Sequence, residues 1–305
     1  MINVNQTQEK RSKVFNANTV FYIFNAIFMI AFVIITLYPV LNTLAISFND
    51  GTDAVRGGIH LLPRKFTLHN FAVVFRSQNM VQAAIVTVGR TVIGTLLALI
   101  LNALLAYIVS RKDFLFKSEL SLFWVITMYV NGGLIPVLLL YKNLHLLSTF
   151  WVYIIPGAVS AFNMLVMRTY MLGIPEELEE SAKMDGAGYF TIFVKIISPL
   201  CKPVYATVAL FVAVGHWNSW FDAMLYNRNK VEYTTLQYEL MKLLSSAMQQ
   251  SGTATGGGQS STGNTVTPIT IRSAATIATM APIIMLYPFL QRYFVTGLTL
   301  GGVKG

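Results

Sequence analysis

Few residues in this chain could do chemistry. Four histidines, His60, His69, His145 and His216, stand far apart, and Cys201 is the lone cysteine. A disulfide framework needs paired cysteines and a metal centre needs ligands at short spacings, so the sequence offers neither. No G-x-x-x-x-G-K-S/T run exists to cradle nucleotide phosphates, and neither H-E-x-x-H nor G-x-S-x-G occurs. Away from the ends of the apolar stretches, where Arg168, Arg272 and Arg292 fall, the ionisable side chains are Arg90, His216 and Asp222. Proton- or ion-coupled carriers need such groups along their path. Asp222 stands near the end of its stretch, and with Arg90 and His216 it is read as structural and snorkelling rather than as part of a proton relay. The chain reads as a conduit whose energy comes from elsewhere.

The densest chemical pattern is the segment GIPEELEESAKMDGAGYFTIFVKIISPL, residues 173–200. Pro175 suits a first helical turn, where its missing N–H costs nothing. Glu176, Glu177, Glu179 and Glu180 follow it, at the end of a helix whose dipole favours negative charge. Ala182 and Gly186 share a strip at i, i+4 and leave a face poor in side chains. Gly186-Ala187-Gly188 permits a sharp turn into a second amphipathic run, 189–197, which Pro199 should stop. The expectation is a short helix–turn–helix lying on a membrane surface, with a small-residue face free for close docking; an ordinary interfacial connector is the simpler alternative.

The elements that must position this segment follow from composition. Of 305 residues, 54% are hydrophobic and 11% charged, against about a quarter charged in a soluble domain. Six stretches, 19–41, 81–109, 120–141, 149–171, 203–226 and 271–294, hold the roughly 20 apolar residues that span a bilayer. Lipid offers backbone groups no water partner, so helices are expected, and the alternation of a membrane barrel is absent. The fold class expected is an all-α membrane protein of six spans. The first stretch is too long for a signal peptide's core and lacks a cleavage site, so it reads as retained. The net charge of +9, from 22 basic and 13 acidic residues, is scattered, without a basic arm or helical face. It fits loops biased toward an anionic inner leaflet rather than nucleic acid. With the N-terminus inside, twelve basic residues fall on the inner side and nine outside, so both termini are expected to be cytoplasmic. The expected organisation is a cytosolic segment 1–18, a transmembrane domain 19–295 and a cytosolic tail 296–305. The outer loops 47–80 and 227–270 are long. The first mixes turn residues with aromatics and suggests partial order. The second opens with helical apolar spacing in EYTTLQYELMKLL, then becomes a Gly/Ser/Thr stretch.

In the 173–200 segment, E-x-A-x-x-x-G followed by nine residues and I-x-x-P resembles the EAA loop of binding-protein-dependent ABC importer permeases. Glu180, Ala182, Gly186, Ile196 and Pro199 fall on the family spacing; Ser181 and Ser198 depart from the usual alanine and leucine. Two further stretches, NGGLIPVLLLYKNLHLLSTFWVYIIPGAVSAFNMLVMRTYM and VGHWNSWFDAMLY, with the ending FLQRYFVTGLTLGGVKG, extend the likeness over most of the chain. They are similar to the carbohydrate-uptake branch, which holds the second maltose-type subunit and the polysaccharide-oligomer permeases. The resemblance implies a type I importer permease fold. It implies that Glu180, Ser181, Ala182, Asp185, Gly186 and Ala187 make coupling contacts with a separate ATPase, and that a tail with Gly301, Gly302 and Lys304 reaches the ATPase dimer. It also implies a second homologous permease subunit, an extracellular or periplasmic sugar-binding protein, and an oligosaccharide cargo in a bacterial inner membrane. This chain would bind no cofactor; ATP and Mg would sit in the partner ATPase subunits.

Candidate pathway residues come with alternatives. Asn131-Gly132-Gly133, just after Tyr129, interrupts the third span, where loosened backbone lines a cavity or allows close helix packing. Asn163 in the fourth span carries the same ambiguity and leans toward interhelical bonding. Trp217, Asn218 and Trp220 combine flat apolar faces with polar donors and acceptors that suit sugars, although tryptophan there is also a plain membrane anchor. Loop 252–263 is expected to enter the binding protein, as the equivalent loop does in maltose-type relatives. The alternatives to an oligosaccharide importer are an importer of another small polar solute, an ion-coupled carrier acting alone and, least favoured, a membrane enzyme.

Overall fold

The computed structural model describes residues 4–76, 78–252 and 266–299. These form helices α1 (Val4–Ser47), α2 (Gly51–Val55), α3 (His69–Arg76), α4 (Gln78–Ser110), α5 (Lys117–Tyr129), α6 (Leu134–Asn143) and α7 (Ala161–Leu172), then α8 (Glu177–Met184), α9 (Tyr189–Ile192), α10 (Ser198–Leu200), α11 (Lys202–Asn218), α12 (Phe221–Tyr226), α13 (Leu236–Gly252) and α14 (Pro268–Thr299). Among the described residues the sole β feature is an isolated bridge between Asn49 and Phe66. The expected contacts of Gly301, Gly302 and Lys304, and residues 253–263 of the expected binding-protein loop, lie outside the described residues.

Three helices are long and apolar enough to cross a bilayer, in α1, α4 and α14, and two bent pairs bring the number to as many as five among the described residues. The pairs are α5 with α6, bent by 115°, and the 189–200 helical run with α11, bent by 79°. The expected fourth span is not one helix. Phe150–Tyr153 forms a 3-10 turn and α7 has 12 residues, roughly 18 Å at 1.5 Å per residue. Pro156, Gly157 and the N-cap Ser160 interrupt the stretch. Asn102 of α4, fully buried, repairs the interruption. Its amide donates to Ala158 O at 3.0 Å and its oxygen accepts from Ser160 N–H at 2.9 Å. Irregular backbone at depth is tolerated where a neighbouring element supplies its partners.

The chain divides into two compact units. In the first, residues 1–73 and 256–277, the segment after α1 is ordered by buried polar side chains. Asp50 caps α2 through its N–H groups. Asn49 donates to Asp53 at 2.9 Å and accepts from Lys65 N–H at 2.8 Å. Asn70 donates to the carbonyls of Ser47 and Asn49, and Arg64 pairs with Asp53 at 3.0 Å. The partial order expected of the 47–80 loop is therefore built from asparagines together with its aromatics, Phe48 stacking on Phe66 at 5.5 Å and packing against Phe71 at 4.9 Å between ring centres.

In the second unit, 74–255 and 278–305, α4 packs most extensively against α11 and then α7. The core between them includes Ala103, Ala106, Met164, Met167, Ile197 and Val208. Small residues set the spacing, since a Cβ on Gly94 would lie 2.4 Å from His216 Nε2. Arg90 is sealed inside rather than snorkelling. Its guanidinium pairs with Asp222 at 2.5 and 3.3 Å and lies 4.4 Å from the centre of the Tyr153 ring. The structural role expected for Arg90 and Asp222 takes the form of a buried bridge from α4 to α12. The helix expected from EYTTLQYELMKLL appears as α13, whose first N–H groups find Thr87 and Thr235 hydroxyls.

Candidate functional site

Pro175 precedes α8, and Glu177, Glu179 and Glu180 occupy its first turn, where the free N–H groups favour negative charge. The helix ends in a Schellman motif. Ala187 N–H reaches Ala182 O at 2.9 Å, Gly186 N–H reaches Lys183 O at 3.0 Å, and Gly186 has φ +79°. This left-handed position is where glycine is required. Among the described residues, none beyond its own chain neighbours places an atom within 4 Å of a Cβ built on Gly186, so the need is conformational and the space in front of it is open.

The two faces of α8 differ from the expected small-residue strip. Ala182 is buried in the chain's own core beside α4, α7 and α11, so its small size serves internal packing. The outward face carries Glu177, Glu180, Ser181, Asp185 and Gly186, all exposed, with Ala187 half-buried. Met184, which residue spacing did not single out, stands 88% exposed among them. A flexible thioether projecting from an acidic face suits an irregular apolar pocket on a partner.

The inward face is held by charge. Glu179 is buried and forms ion pairs with Arg111 and, at 3.4 Å, with Lys183. Arg111 lies over the Tyr107 ring at 4.7 Å and donates to Ser110 Oγ at 2.9 Å. Lys112 pairs with Glu176, and Lys183 and Tyr189 Oη both donate to Asp113, at 3.3 and 3.2 Å. Hydrogen bonds from Lys183 and Tyr189 hold the Asp113 carboxyl below its ordinary value, and the Glu176 partner raises Lys112. Sequence inspection missed this cradle. Its signal is the Arg-Lys-Asp triplet directly after α4, matched in charge to the glutamates of 176–180, but a single sequence does not pair them.

Beyond α8, the run does not stop at Pro199. A π-helical turn, Phe193–Ile197, widens the helix just before it, and α10 continues to Leu200. A wider turn accommodates the missing proline N–H. The break comes at Cys201, where its N–H is shared between Ile197 O and Ser198 O ahead of Pro203.

The pathway candidates divide. Asn131 Oδ1 accepts from Gly133 N–H at 2.9 Å, and Gly133, at φ +85°, turns the chain between α5 and α6. Tyr129 stands 82% exposed at that turn. Asn163 is buried one turn past the Ser160 cap. Trp217 is buried and spends its indole N–H on Thr279 O at 3.0 Å, so it is a tie to α14. Asn218 is exposed and accepts from Gln237 at 3.4 Å, and Trp220 packs edge-on against Phe221.

No family model matches the chain. It is 35% identical over 280 residues to the polygalacturonan/rhamnogalacturonan transport system permease protein YtcP of Bacillus subtilis (strain 168), covering 91% of this chain and 96% of that protein. It is 30% identical over 276 residues to the arabinooligosaccharides transport system permease protein AraQ of Halalkalibacterium halodurans, covering 89% and 92%. A solved bacterial ABC transporter involved in import of the acidic polysaccharide alginate contains a chain that superposes with a TM-score of 0.81 at 28% identity, covering 91% of this chain and 98% of that one.

Proposed function

The chain belongs to the permease subunits of sugar ABC transporters, and from that membership we propose that it moves oligosaccharides across a bacterial cell membrane within a multi-subunit importer. The observation that carries this reading is the 35% identity sustained over 280 residues to a permease named for polygalacturonan and rhamnogalacturonan transport. The complex would contain a second, similar permease, two ATPase subunits holding ATP and Mg, and a sugar-binding protein outside the cytoplasm. A relative of the same fold has been solved with an alginate pentasaccharide-bound periplasmic protein. Both termini would be cytoplasmic, and the tail with Gly301, Gly302 and Lys304 would approach the ATPase pair.

In this reading the outward face of α8, Glu180, Ser181, Asp185 and Gly186 with Met184 and the flanking Ala187, seats in a cleft of the ATPase. Ala182 supports it from behind. Closure of the ATPase pair on ATP would move α8 and rotate the helices attached to it, giving alternating access. In the same reading Tyr129, Asn131, Asn218 and Trp220 would meet a passing sugar, with Asn163 and Trp217 fixing the helices around them.

Purification of the tagged chain from its native membrane tests this. The expected result is co-purification of a second permease and an ATPase, with ATP hydrolysis raised by oligogalacturonides in the presence of the binding protein. Gly186→Trp should abolish uptake while the protein still inserts. Uptake into liposomes by the isolated chain, without any ATPase, would refute the proposal and favour an ion-coupled carrier.

A further inference from the structure

The two helices joined covalently to the α8 loop are both interrupted close to it. Before the loop, α7 has 12 residues and is preceded by the irregular 154–160 stretch. After it, the helical run bends by 79° into α11. A push on α8 transmitted along either would meet a break within the membrane's depth. The helix that touches the loop and runs without interruption is α4, 33 residues from Gln78 to Ser110 and roughly 50 Å long at 1.5 Å per residue.

α4 is keyed to α8 by side chains rather than by chain continuity. Arg111, the residue after its last turn, is clamped between the Tyr107 ring and the buried carboxylate of Glu179. The neighbouring pairs Lys112–Glu176 and Lys183–Asp113 are more exposed and contribute less. Toward its other end α4 holds the elements that follow α11. Arg90 is bridged to Asp222 of α12, Thr87 accepts from Leu236 N–H at 2.9 Å, and Gln82 donates to Glu232 O at 2.9 Å. Arg90 and Arg111 are 21 residues apart in α4's numbering, which at helical rise is roughly 30 Å, about the thickness of a bilayer's hydrocarbon core.

We infer that α4 is the strut that carries the motion of α8 across the membrane, and that Glu179 and Arg111 are its positioning residues. The inference rests on the transport reading above. A unit that moves as a rigid rod needs a stiff element attached at both faces, and among the described helices of this unit α4 alone is continuous between such attachments. The exposed face of α8 would then decide whether the ATPase binds, while the buried pair decides whether binding is felt on the far side.

The test uses the assembled complex in proteoliposomes, with oligogalacturonides and their binding protein as the probe and sugar moved per ATP hydrolysed as the readout. Glu179→Gln and Arg111→Gln should each lower that ratio about tenfold, and the double variant should be no worse than Glu179→Gln alone, since Arg111 acts through Glu179, which also meets Lys183. The ATPase subunits should still co-purify. The exchanged pair, Arg111→Glu with Glu179→Arg, should recover at least about a third of the wild-type ratio. A wild-type ratio in Glu179→Gln, losses that multiply in the double variant, or an exchanged pair that assembles yet stays uncoupled would overturn the inference. Absence of sugar-dependent uptake by the wild-type complex would instead sink the transport reading, and this inference with it.

Discussion

Two arginine–carboxylate pairs on α4 use the same parts with opposite seals. Each guanidinium lies over a tyrosine ring, Arg90 on Tyr153 and Arg111 on Tyr107. In the first pair the arginine side chain is sealed at 2% exposure and Asp222 is partly wet at 22%; in the second Glu179 is sealed at 5% and Arg111 reaches 16%. The difference decides what is stranded when a partner is lost. Without Asp222 a buried guanidinium remains, and guanidinium does not shed its proton. Without Arg111 the buried carboxylate still has Lys183 at 3.4 Å. The Arg90 pair is a fixed rivet, whereas the Arg111 pair joins elements that can be displaced together and can lean on a second cation.

That contrast sets an order of effects. Asp222→Asn should cost the most, about 3–5 kcal/mol as an uncompensated buried charge, seen as a large drop in the thermal midpoint of the purified complex. Replacing both members by apolar residues, Arg90→Met with Asp222→Leu, should recover most of it. If Asp222→Asn is no worse than Arg111→Gln, the contrast between the two seals is wrong. Asn102→Leu should come next. It strands the carbonyl of Ala158 and the N–H of Ser160, at about 1–3 kcal/mol for each buried group. A midpoint unchanged by this variant would mean that the break before α7 does not depend on α4.

Arg111→Gln should follow at about 1–3 kcal/mol, with its loss of coupling far exceeding its loss of stability. Equal losses in both would reduce the pair to plain scaffolding. Gly186→Ala should cost roughly 1 kcal/mol, the penalty of a left-handed turn for a residue with a Cβ, because no described residue beyond its chain neighbours crowds the position. A larger drop in the isolated permease would reveal a contact within the chain.

The smallest effect concerns acid. Asp113 sits below its ordinary value of 3.8, first through Lys183 and then through Tyr189. A carboxyl lowered on folding stabilises above its ordinary pKa and ceases to do so as pH falls through the lowered one. The 111–113 segment should therefore keep its hydrogen-exchange protection unchanged from about pH 8 to about pH 5 and lose it only in stronger acid. Loosening near pH 6 would contradict the Lys183 and Tyr189 contacts.

Much of this was legible in the residue order because it depends on local rules. Apolar length marked α1, α4 and α14; Pro175 and the glutamates marked the start of α8; Gly186 marked its end, since a left-handed turn singles out glycine. The spacing of Glu180, Ala182 and Gly186 pointed to the permease family. The same spacing misled about direction, because helical periodicity says which residues share a face and not which neighbour that face meets. Ala182 therefore looked like a docking surface and is core, while Met184, unremarkable in the sequence, stands in the open. Trp217 and Trp220 lie three residues apart, yet one is spent on Thr279 and the other is not.

By itself the sequence determined that this chain is a helical membrane protein and pointed to its permease family, since the first follows from composition and the second from motifs a few residues long. Only the tertiary structure decided that the fourth apolar stretch is broken and repaired by Asn102, that Arg90 is riveted to Asp222 and that Glu179 is clamped by Arg111. Those partners lie between 56 and 132 residues apart. Pairing of distant polar groups is set by which helices pack together, and the energy that selects it, a buried charge or amide finding its one partner, exists only once water has been excluded.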